Sequence, residues 1–234
     1  MQRMPRNIRR TGIATLLAAL AAGVSLDANW PQWRGPHFNG SSSSARGLAV
    51  TWSETKNVLW RAALPSWSAA TPIIWENTVF VTSAEEGFTP LDRGARRASA
   101  GTPPGKIFLL AVNREDGSVR WRREIGDGNQ LYRKQNSASP SPITDGKHVW
   151  TMTGNGRLSC LTMEGKEVWK RDIQAEYGRF GINHGYASTP LLDGDRLYVQ
   201  VLHGMTTDDP SYVFALNKST GKTLWKVERP TDAV

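Results

Sequence analysis

The 234-residue chain carries 29 Lys and Arg against 21 Asp and Glu, with one cysteine and 10 tryptophans. A lone cysteine, Cys160, excludes an intramolecular disulfide. The basic excess shrinks once the first 28 residues are set aside: they hold four arginines and Asp27, leaving 25 basic and 20 acidic side chains, a net of +5. The arginines 93, 96 and 97 share one Gly/Pro/Ala-rich insert and read as a solvated loop. Without basic residues interleaved with aromatics along a groove, a nucleic-acid partner is not expected.

In chain order, "MQRMPRNIRR" and the apolar, Ala-rich "TGIATLLAALAAGVSL" read as a Sec-type signal peptide over residues 1–28, with cleavage near Leu26 or Asn29. The alternative is an uncleaved anchor; once the signal is removed, no membrane span remains. Residues 29–57 form an extended N-terminal segment. From 58 to 234 the sequence repeats itself. Gly117, Gly165 and Gly221 are each followed four residues later by Trp121, Trp169 and Trp225, and each is preceded by a small residue, Ala111, Cys160 or Ala215. Upstream, "ATPIIWENTVFVTS", "PSPITDGKHVWTMT" and "STPLLDGDRLYVQV" share Ser/Thr-Pro-Ile/Leu, a polar turn and an alternating strand. Each unit therefore holds four short antiparallel strands, over about 66–125, 137–173 and 185–228, and no convincing helical period occurs. In the third unit, 187–191 is expected as the first strand, with Pro190 inside it, and "GNG" at 154–156 is a hairpin turn.

Tandem four-stranded units of this length predict an all-β chain built as a β-propeller, with about three blades present. A large indole at a fixed place on each fourth strand is expected to fill the gap to the neighbouring blade. The sequence Val58–Leu64 reads as a lone outer strand. Since propellers close with about four to eight blades, three blades are expected to be part of a larger ring, or to need an assembly that covers the open faces.

The small residue, the glycine turn and the tryptophan four places on resemble the docking repeat of the PQQ-like (quinoprotein-type) β-propellers. "NWPQWRGPHFNG" at 29–40 and "GLAVTWSETKNVLWRAALP" at 47–65 resemble the start of exported bacterial PQQ-binding-like propellers, distantly similar to BamB. The resemblance implies a periplasmic or secreted protein and admits PQQ with calcium as a cofactor. It also implies a vicinal cysteine pair in the alcohol-oxidising members. Cys160 lies between Ser159 and Leu161 and cannot supply one.

Propeller sites sit on loops at the mouth of the axis, here the inter-blade segments 126–139 and 174–188. These carry Arg133, Gln135, Asn136, Arg179, Asn183, His184 and Tyr186, candidates for contacting a small-molecule or protein ligand; satisfying loop backbone is the alternative role. His184 has no partners at metal-ligand spacing, and Asp208-Asp209 lacks the glycine-punctuated ladder of a calcium loop, so neither a catalytic nor a metal-ligating set is assigned. Three functions follow: a non-catalytic binding or scaffolding module of the bacterial envelope, the N-terminal part of a PQQ-dependent oxidoreductase, or a glycan binder using exposed Trp67 or Trp75.

Overall fold

The computed structural model describes residues 29–43, 45–87, 105–132, 134–182, 184–204 and 207–229. The expected signal peptide, the insert with arginines 93, 96 and 97, Arg133 and Asn183 lie outside the described residues. Twelve strands form three four-stranded antiparallel sheets, each in simple sequence order. The first comprises β1 (Ile73–Trp75), β2 (Thr78–Ala84), β3 (Ile107–Asn113) and β4 (Val119–Gly126). The second comprises β5 (Ile143–Thr144), β6 (His148–Met152), β7 (Arg157–Thr162) and β8 (Glu167–Asp172). The third comprises β9 (Leu191–Asp193), β10 (Arg196–Val201), β11 (Ser211–Asn217) and β12 (Thr223–Arg229). These are the blades of a partial propeller, as the repeat predicts.

Register shows why the repeat spends its residues as it does. One transverse row in each blade reads Ile73–Phe80–Ala111–Trp121, Ile143–Trp150–Cys160–Trp169 and Leu191–Tyr198–Ala215–Trp225. The small residue of the motif thus lies directly across the ladder from the tryptophan, where a larger side chain would compete with the indole for one face. In all three blades the register slips immediately after that small residue. Such a bulge sharpens the local twist beside the ring.

The first two rows are covered by the following blade. The Trp121 ring lies against Gly165 and its Nε1 donates to the Met163 carbonyl at 3.1 Å; Trp169 lies against Gly221 and donates to the Lys218 carbonyl at 2.9 Å. Gly165 and Gly221 have φ of 81° and 69°, and a Cβ on Gly221 would stand 2.7 Å from the Trp169 ring. Glycine therefore serves both the turn and the close approach. Around these contacts two cores form. Ile73, Phe80, Leu109 and Ala111 pack with Val149 and Leu161 between the first and second blades, and Trp150, Leu158 and Cys160 pack with Leu197, Val199 and Phe214 between the second and third.

Three expectations need correction. Residues 58–64 form no strand, although Trp60 still lies against Gly117 and donates to the Arg114 carbonyl at 2.8 Å, covering Val81, Phe108 and Leu110. The first strand of the third blade begins after Pro190, because the Ser/Thr before each proline is engaged between blades. Thr71 N donates to Ser141 Oγ at 2.9 Å, and Ser141 N to Thr189 Oγ1 at 3.0 Å. Finally, a one-turn helix, α1 (Ile173–Tyr177), interrupts the second inter-blade segment. Asp172 caps it by accepting from Ala175 N, and buried Ile173 anchors it, a signal too short to register as periodicity.

Candidate binding site at the inner edges of the blades

The inter-blade residues singled out from sequence divide by role. Asn136 is fully buried: its Nδ2 donates to the Trp67 carbonyl at 2.8 Å, and its Oδ1 accepts from Ala138 N at 3.0 Å. Tyr186 is also buried, with its hydroxyl donating to the Gln200 carbonyl at 2.9 Å and its ring 5.0 Å from Phe180; burial pushes its ionisation upward. Gln135 Nε2 donates to the carbonyls of His184 and Gly185, and the Tyr132 ring covers Gly185, so the two inter-blade segments are tied to one another. His184 and Arg179 are exposed. Three of the candidates thus hold backbone, the alternative that sequence left open. Of the two tryptophans expected to be exposed, Trp67 is 47% exposed, whereas Trp75 is half-buried against Gly146.

A cavity of about 760 Å³ includes Trp75 among its lining and is otherwise built by residues to which the sequence assigns no binding role. The N-terminal segment lies along the inner edges of two blades. Trp30 exchanges hydrogen bonds with Ile74 on β1 (2.8 and 2.9 Å), and the Pro31 carbonyl accepts from Thr144 N on β5 at 2.9 Å. The chain then turns tightly, with Gly35 N donating to the Gln32 carbonyl, which projects Trp33 and Phe38, each about half exposed. These two face Trp75, Leu191, Leu192 and Tyr198 across the cavity. Asp145 and Lys218 form its charged part, paired at 2.8 Å with side chains 18% and 21% exposed. Burial works against the Asp145 charge, but the Lys218 ammonium and the His148 and Lys147 amides outweigh it and hold the carboxyl below its ordinary value. Lys218 also supplies the carbonyl shared by the Trp150 and Trp169 indoles. A second cavity of about 710 Å³ adjoins the first at Trp33 and Tyr198 and is lined by Gln135, Ser139, Ser141 and Gln200. Of the sequence candidates among the described residues, Gln135 alone is placed there.

The described residues contain no cluster of three His, Cys, Asp or Glu able to hold a metal. Cys160 is fully buried opposite Trp169, and burial, with a smaller contribution from Asp145, pushes its thiol up to about 12. No helix among the described residues is long and apolar enough to cross a membrane.

Comparison with known proteins places this geometry. Residues 39–99 and 94–227 match the PQQ-like repeat family described as outer membrane protein assembly factor BamB. The BamB of Alkalilimnicola ehrlichii is 25% identical over 124 residues, 52% of this chain and 28% of that protein. Among solved structures, BamB from Moraxella catarrhalis is similar at 18% identity and a TM-score of 0.40, over 76% of this chain and 57% of that one. A quinohemoprotein alcohol dehydrogenase from Pseudomonas putida is similar at 16% identity and a TM-score of 0.47, over 74% of this chain and 22% of that one. The matched region spans little more than a quarter of the length of the curated relative. With the family match running from residue 39 to 227 and three successive blades carrying its repeat, the chain belongs to the PQQ-like β-propeller family of the outer membrane protein assembly factor BamB.

Proposed function

We propose that this chain is a non-catalytic binding or scaffolding module, exported to the bacterial envelope and periplasmic or secreted. The observation that carries this reading is the character of the inner-edge cavity. Its walls are largely aromatic and aliphatic, its ion pair is internally satisfied, and Asp193 adds a single exposed carboxylate. Such a surface recognises by shape and apolar burial, and a lone carboxylate with no second acid, base or nucleophile beside it in the lining supports binding over catalysis. The polar inter-blade residues Asn136, Gln135 and Tyr186 brace the scaffold, while exposed His184 and Arg179 remain available to a ligand at that end. In the same reading Trp121, Trp169 and Trp225, with Gly117, Gly165 and Gly221, are the docking residues of the repeat, residues 1–28 are removed, residues 29–57 are an extended N-terminal segment whose Trp30 and Pro31 pair with the first two blades, and the three blades span about 66–125, 137–173 and 185–228.

Titration of the purified protein with PQQ, with and without calcium and followed by tryptophan fluorescence, tests the reading. No saturable change is expected. Saturable, calcium-dependent binding would favour the oxidoreductase reading. N-terminal sequencing of the secreted protein should find a start at Leu26 or Asn29, and an intact Met1 would contradict export with cleavage.

A further inference from the structure

The hairpins at the inner edge of each blade share one geometry. On β1, Trp75 pairs with Thr78 around a two-residue turn, and Ile74, one position further out, turns its N–H and C=O away from β2 to meet Trp30. Thr144 on β5 likewise turns its N–H away from β6, donating it to the Pro31 carbonyl. On β9, Asp193 pairs with Arg196 around a two-residue turn, and Leu192 occupies the place of Ile74. The alternation of antiparallel pairing therefore turns the Leu192 N–H and C=O to the same inner edge. The N-terminal segment has left the edge by then at the Gln32–Gly35 turn, and among the described residues no hydrogen bond reaches either Leu192 group. That edge opens into the 760 Å³ cavity, between Trp33 and Phe38 on one side and Tyr198 on the other.

We propose that the β9 inner edge is a strand-addition site for an extended apolar peptide of a partner protein, continuing over the third blade the track that Trp30 and Pro31 lay over the first two. Main-chain pairing to Leu192 supplies the anchor, and alternate side chains of the peptide enter the aromatic pocket of Trp33, Phe38 and Tyr198. The occupant is apolar where it enters the aromatic pocket, because the Asp145 and Lys218 charges neutralise one another; the exposed Asp193 carboxylate, which also lines the cavity, favours a cationic over an acidic residue beside it. The chain's own segment is the precedent: it places Trp30-Pro31 on the equivalent edges. The site deepens the binding-module reading and rests on it.

The probe is a phage-displayed library of random dodecapeptides selected on the purified full chain, with the best peptide then synthesised. Three results are expected: the peptide slows hydrogen exchange at the Leu192 amide at least tenfold, Trp33→Ala weakens binding about tenfold, and Leu192→Pro, which removes the edge donor at a position whose N–H points away from its β10 partner Leu197, abolishes it. Unchanged exchange at Leu192 in the unmodified protein overturns the site, and does so whether or not the proline variant folds. Peptide binding that survives Leu192→Pro also overturns it, while leaving the binding-module reading intact. Failure to enrich any peptide, with oligosaccharides instead quenching the tryptophans, overturns it in favour of a glycan ligand. A calcium-dependent quinone titration would instead bring down the underlying function.

Discussion

The second and third blades carry the same row of residues in opposite circumstances. Trp169 lies against Gly221 and donates to Lys218, with Ile143, Trp150 and Cys160 fully or almost fully buried beside it. Trp225, its counterpart, is 38% exposed beside Leu191 at 47% and Val227 at 60%; it touches Tyr198 of its own sheet and has no acceptor for its Nε1 among the described residues. The shared motif of small residue, glycine turn and tryptophan yields the same pairing and the same bulge in both. What differs is whether another blade's turn stands opposite, so the energetic weight of the motif resides in the junction and not in the blade.

The largest effect expected is on the covered junction. Trp169→Ala should destabilise the chain by about 3 to 5 kcal/mol in denaturant unfolding, the range for emptying an indole-sized volume; a loss under about 1 kcal/mol would contradict the junction's role. Gly221→Ala attacks the same contact from the other side. It forces a Cβ into a positive-φ turn and onto the indole, and should cost about 2 kcal/mol, with Trp169 fluorescence shifting as the ring is displaced. Asp145→Asn removes the charge that ties the second blade to Lys218 of the third and should cost about 1 kcal/mol at neutral pH. Because folding lowers the Asp145 ionisation below 3.8, its contribution is complete above that value and disappears as pH falls through the folded one; the Asn variant should lose that part of the acid sensitivity.

His203 acts in a milder range. Burial disfavours its charged form, opposed by a smaller pull from Asp209, and its Nδ1 accepts from Gly181 N at 3.0 Å. Stability should therefore decline as pH drops below 6.5, where the unfolded imidazole takes up a proton more readily than the folded one. His203→Asn should flatten that decline, seen as a melting temperature less dependent on pH between 7 and about 5. Trp225→Ala in this same chain marks the small end, below about 1 kcal/mol, since half-exposed side chains without polar partners contribute little. A large loss there would erase the contrast with Trp169.

The blades were legible because their signals are local: a glycine four residues before a tryptophan, and a Ser/Thr-Pro pair before an alternating strand. The purpose of the small residue was less so, since only register sets Ala111, Cys160 and Ala215 opposite the indoles. Of the candidate cavity, Trp75 alone was legible. The cavity forms where Trp33 and Phe38 meet Leu191, Leu192 and Tyr198, more than 150 residues further along the chain, and no spacing rule spans that separation. The inter-blade candidates were polar in composition as expected, but composition does not reveal which side chains turn inward, as Asn136 and Tyr186 do.

The shared acceptor at Lys218 has a consequence in time. Two indoles of the second blade, Trp150 and Trp169, find their hydrogen-bond partner on a turn that is synthesised about fifty residues after Trp169 itself. In the export reading the chain emerges N-terminus first on the far side of the membrane, so the second blade can close its own hairpins yet must wait for the third before these two indoles are satisfied. Such an order makes maturation a directional zipper with an incompletely bonded surface at the emerging front, which is where an envelope chaperone would have to hold it.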